Sequence, residues 1–195
     1  MLYRRTQING GTYFLTLVTY NRLRIFNRPD CVALLRESFK QVKKEHLFTI
    51  DAIVILPDHI HCMLTLPQGD ADYPLRIRMI KSHFSRQYRI GLPGNTASRV
   101  AKGEKAVWQR RYWEHAIRDD DDYARHVEYI HYNPVKHGLA VSPRDWQWSS
   151  FHDYVGRGVY DVNWGRGEEI IFAGGWVRNR DFGFRFAQHG YIEIV

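Results

Sequence analysis

Two runs rich in β-branched and apolar residues, 48–56 (FTIDAIVIL) and 60–66 (IHCMLTL), are separated only by Pro57, Asp58 and His59. Both have the length of strands rather than helices, and so short a connection makes the chain double back. The pair therefore reads as an antiparallel hairpin with a Pro-Asp turn. Within a strand, residues i and i+2 share a face. His59 and His61 then stand side by side, while Ile60 turns into the opposite layer. This is a geometry that can hold one metal ion, but many histidine pairs are simply hydrogen-bonded, and a metal site needs a third ligand.

A candidate lies in residues 126–139, HVEYIHYNPVKHGL. If this stretch is helical, Tyr129 and Asn133 stand at i and i+4 and project from one face, a turn apart. Pro134 and Gly138 are expected to mark the end of that helix. The Asn133 amide oxygen is a hard, neutral ligand suited to Mg²⁺ or Mn²⁺, and Tyr129 would lie beside the ion. Taken singly, Tyr129 also reads as a packed amphipathic aromatic and Asn133 as a helix-ending residue before proline. The conjunction with the histidine pair favours the site. The acidic run 119–122 reads as the start of the same helix, with Asp119 or Asp120 as N-cap.

The remaining pattern gives a strand over residues 13–20, a helix over 30–45, the hairpin, a helix over 75–90, a strand over 112–118 and the helix bearing Tyr129. The order β-α-β-β-α-β-α predicts an α+β fold: a ferredoxin-like split β-α-β core, with helices packed on an antiparallel sheet.

PDHIHCMLTLP at residues 57–67 and YIHYNPVKHGL at 129–139 resemble the two signatures of the REP-associated tyrosine transposases, IS200-like relatives of the single-tyrosine HUH transposases. Residues 108–139 and DWQWSSFHDYVGRG at 145–158 are similar to that family too, and the likeness spans roughly 13–158. It implies that His59 and His61 are metal ligands, that Asn133 supplies the third and that Tyr129 is the nucleophile. It further implies cleavage and rejoining of single-stranded DNA at hairpin palindromes through a 5′-phosphotyrosine link. A domain over 1–158 and a C-terminal extension over 159–195, packed on it, are expected. A non-catalytic hairpin-DNA-binding descendant is the alternative. A zinc hydrolase is a third reading that lacks a convincing extra ligand.

With 195 residues and 44% of them hydrophobic, the chain can bury one sizeable core. Its formal charge of +7 suits a polyanionic partner. Arg4, Arg5, Lys81, Arg99, Lys102 and Lys105 are the candidate DNA contacts, and Arg76 and Arg78 extend the basic face of the Lys81 helix. His126, His131 and His137 read as surface or DNA-facing residues. Cys31 and Cys62 suggest no disulfide framework. Nothing resembles a signal peptide or a bilayer-spanning run, so a cytoplasmic, nucleoid-associated protein is expected, as monomer or homodimer.

Overall fold

In the computed structural model, which describes residues 7–88 and 106–167, strand β1 (Thr12–Val18) sends Tyr13, Leu15 and Leu17 into one apolar layer and Phe14 into another. β2 (Thr49–Ile55) and β3 (His59–Thr65) form the expected hairpin, and β4 (Trp113–Ala116) pairs with β1. The sheet order is β2-β3-β1-β4, with every neighbour antiparallel. This is the split β-α-β arrangement anticipated from the element order. β3 lies inside the sheet and is buried on both faces over residues 59–64. One face buries Ile60, Cys62 and Leu64, and the other holds His59, His61 and Met63.

Helices α1 (Pro29–Glu45) and α2 (Tyr73–Gln87) cover the first face through Val32, Leu35, Phe39, Ile77, Ile80 and Phe84. α2 starts at Tyr73, earlier than the periodicity suggested, because Asp72 caps it by accepting a hydrogen bond from the Leu75 amide. Cys31 and Cys62 are free and buried, and burial pushes the Cys62 thiol up to about 12.

Helix α3 (Asp120–Lys136) covers the second face, placing Val127 and Ile130 against Phe14, Ala52, Val54 and Met63. Its N-cap is Asp119, whose carboxylate accepts from the Asp122 amide. The C-terminus departs from expectation: Pro134 lies inside the last turn and does not end the helix. The stop comes from Gly138, at φ 65°. There the Leu139 amide bonds the Pro134 carbonyl and the Gly138 amide bonds that of Val135, two reverse bonds that satisfy the end carbonyls.

The outer edge of β2 is closed by the segment leading into α4 (Phe151–Gly156). The Ile55 amide donates to the Trp148 carbonyl, the Ile53 amide to Ser150 Oγ, the Ser150 amide to the Ile53 carbonyl, and the Trp146 indole to the Ile55 carbonyl. Beyond α4, Tyr160 stacks on Phe151, Tyr154 and Trp164, and Trp164 reaches Tyr132 of α3. No helix among the described residues is long and apolar enough to cross a membrane.

Candidate active site

β3 presents His59 and His61 on the face covered by α3, with ring centroids 4.9 Å apart and rings nearly perpendicular. Each is oriented through Nδ1. His59 Nδ1 donates to Asp58 Oδ1 at 2.6 Å, and Asp58 Oδ2 accepts from Arg22 at 3.1 Å. His61 Nδ1 lies 2.9 Å from Thr16 Oγ1 on the neighbouring strand. With both Nδ1 atoms engaged, each ring keeps Nε2 for an outside partner, the arrangement in which a hydrogen-bonded carboxylate or hydroxyl fixes a metal-binding imidazole. Burial holds both histidines below the usual imidazole range, His61 strongly, so their neutral, ligand-competent forms are favoured; Asp58 opposes the shift at His59. Burial also works against the charge on Asp58, but the bonds from His59 and Arg22 outweigh it and the carboxyl stays below its ordinary range.

α3 runs alongside the pair. Tyr129 meets the ring of His61 at 5.3 Å between centroids, and His137, two turns on, meets His59 at 5.2 Å. Asn133 lies midway on the same stripe. It is fully buried, and neither its amide oxygen nor its nitrogen has a hydrogen-bond partner of good geometry. An unsatisfied buried amide costs on the order of 1–3 kcal/mol unless something outside the chain completes it. Burial raises the Tyr129 hydroxyl above the ordinary phenol range, and the nearby Asn133 side chain partly opposes that. Two imidazole nitrogens and one carboxamide oxygen make a donor set that fits a divalent cation.

A second group lies across Phe14, whose ring is 5.5 Å from that of His61 and 4.8 Å from that of His126. His115, Asp122 and His126 bring ligand atoms within 4.8 Å of one another, a His/Asp group that can hold a divalent metal. Pairwise spacing along the sequence did not reveal it, because His115 comes from β4 and the other two from α3. The Asp122 carboxylate also accepts from His115 Nε2 at 2.7 Å and from the amide and guanidinium of Arg118. These bonds outweigh burial and hold its pKa at about 2.

Other expected positions fall elsewhere. Arg4, Arg5, Arg99, Lys102 and Lys105 lie outside the described residues. Lys81 donates to the carbonyls of Gln109 and Arg110, tying α2 to the chain entering β4. Arg76 does not belong to a solvated basic face: it is 2% exposed and spends its guanidinium on the Leu47 carbonyl and Asp70. His131 is neither at the surface nor turned toward the His59–His61 pair. It is fully buried and shares a 2.8 Å hydrogen bond with Ser150 Oγ, and burial pushes its pKa down to about 3.

Residues 7–133 match the family described as transposase, IS200-like. A REP-associated tyrosine transposase of Escherichia coli (strain K12) is 42% identical over 173 residues, covering 89% of this chain and 95% of its own. A relative from Haemophilus influenzae is 41% identical over 172 residues, covering 88% of this chain and 97% of its own. Among solved structures, a REP-associated tyrosine transposase bound to a REP hairpin superposes with a TM-score of 0.71 at 38% identity, over 91% of this chain and 99% of that one.

Proposed function

Because the chain belongs to the IS200-like transposase family, among the REP-associated tyrosine transposases, we propose that it cleaves and rejoins single-stranded DNA at hairpin palindromes, with Tyr129 as nucleophile. The observation that carries this reading is the convergence of His59, His61, Tyr129 and the unsatisfied Asn133 amide between one strand and one helix. His59, His61 and Asn133 hold a divalent ion, Mg²⁺ or Mn²⁺, which when bound supplies positive charge at the scissile phosphate.

Asp58 and Thr16 aim the two imidazoles, burial keeps them neutral, and α3 keeps the Tyr129 ring beside His61. The Tyr129 oxygen attacks phosphorus in line, and the bond from phosphorus to the 3′ oxygen breaks. The products are a 5′-phosphotyrosyl link and a free 3′ hydroxyl. One phosphoester replaces another of similar energy, so an incoming 3′ hydroxyl can reverse the step without ATP. Residues 1–158 form the catalytic domain, followed by an extension over 159–195 whose residues beyond 167 lie outside those described. Arg4, Arg5, Lys81, Arg99, Lys102 and Lys105 contribute to DNA binding.

Labelled single-stranded palindrome DNA, incubated with wild type or Tyr129→Phe and Mn²⁺, Mg²⁺ or chelator, tests the proposal on a denaturing gel. A slow, protein-linked band is expected only with metal and Tyr129. Tight binding without such a band in the wild type would leave a hairpin-binding protein instead.

A further inference from the structure

Lys136 is part of the motif that contains Tyr129 and Asn133, yet the reaction above gives it no role. It occupies the last turn of α3 with its side chain exposed, where the helix dipole favours a cation. Its ammonium stands over the ring of Tyr129, 4.8 Å from the centroid. The same charge bears on His61 and on His137, so it lies within electrostatic reach of the histidines as well as over the Tyr129 ring.

The other cations around this layer are committed. Arg22 is paired with Asp58, and Arg118 and Arg125 with Asp122. Among the described residues, Lys136 has no carboxylate partner. A partly desolvated ammonium beside a nucleophile, open to solvent on its outer side, is suited to an anionic group delivered from outside.

Resting on the function proposed above, we propose that Lys136 is a catalytic residue: its ammonium binds a non-bridging oxygen of the scissile phosphate and neutralises charge as the bond from Tyr129 to phosphorus forms. The phenol proton passes to water, and the departing 3′ oxygen takes one from water. Lys136 keeps its own protons throughout. A fixed charge aimed at developing charge acts on the transition state more than on the bound ground state.

Single-turnover adduct formation at saturating hairpin DNA, together with equilibrium affinity for the same DNA, tests this in wild type, Lys136→Met and Lys136→Arg. The Met variant keeps the stem over the Tyr129 ring and removes only the charge. It is expected to form the adduct about 100-fold more slowly, the cost of losing one charge-stabilising donor, with a much smaller loss of affinity. The Arg variant should recover part of the rate. An adduct rate for Lys136→Met within about threefold of wild type, or a defect that vanishes at saturating DNA, would overturn the proposal and leave a packing or binding contact. A wild-type protein that forms no Tyr129-dependent adduct would overturn the function itself, and this step with it. That outcome is read from the wild type alone and so is distinct from failure at Lys136.

Discussion

Asp58 should separate ion binding from the rest of the site, because it touches His59 through Nδ1 and contributes none of the proposed ligand atoms. Asp58→Asn is expected to weaken Mn²⁺ binding by about 10–100-fold in calorimetric titration, the usual cost of losing a carboxylate behind a metal-bound histidine. The DNA-binding affinity measured in chelator should stay near that of wild type. Arg22, which holds the other Asp58 oxygen, adopts φ 51°, as does Asn21 before it. Two successive non-glycine residues in the left-handed region are strained, and such strain concentrates around functional sites. At this scale His59, His61, Tyr129 and Asn133 were legible, since two- and four-residue spacings decide which side chains share a face. Asp58 was present in the turn without declaring its role, because an adjacent carboxylate pairs with a histidine only when the turn aims it back. Arg76 misled for the converse reason: it stands in a series of basic residues along α2, but its guanidinium is spent on the Leu47 carbonyl and Asp70.

Helix α3 carries Glu128, buried and one residue before Tyr129 in sequence, with Arg125 on the same helix and Tyr160 from the segment after α4 as its charged and titratable neighbours. Burial pushes its pKa from the ordinary 4.5 up to about 8, against a weaker pull from Arg125. The folded state therefore holds this proton more tightly than the unfolded chain does. Stability should fall as pH rises from the unfolded value through about 8, where both states become ionised. Glu128→Gln removes the penalty. Between pH 5 and pH 8 the variant should gain on wild type by on the order of 2–4 kcal/mol in denaturant unfolding. A constant difference across that range would contradict a buried, protonated Glu128. The hairpin and helices were readable from periodicity, whereas the closure of the β2 edge by residues 146–150 was not. Two of those four bonds run backbone to backbone and all span a long stretch of chain, so the motif DWQWSSF shows a family likeness in sequence but not its edge-capping role. The Pro134 misreading has a similar origin, because the reverse bonds beyond it, not the proline itself, set the stop.

Across the whole molecule, the aromatic stack of Phe151, Tyr154, Tyr160 and Trp164 fastens the chain after α4 to α3 through Tyr132 and the buried His131. Trp164 is half-buried at the outer end of that stack. Trp164→Ala should cost about 1–2 kcal/mol and lower the melting temperature by about 3–6 °C in a scan of the full chain. Gly165 follows at φ 70°, where a Cβ would come within 3.1 Å of Tyr132 and Pro143, so the chain turns there at a point that tolerates little else. Which residues these aromatics meet was not readable beforehand, since the C-terminal region carries no periodicity that names their partners. The alternation along β3 has a consequence of another kind. His59 and His61 share the strand with Ile60 and Cys62, which point the opposite way, so sliding the strand by a single residue would drive imidazoles into the oily layer and bring aliphatic groups to face Tyr129. A chain that threads this strand wrongly thus forfeits its core and its paired imidazoles together, so a molecule that keeps one without the other is not an available state.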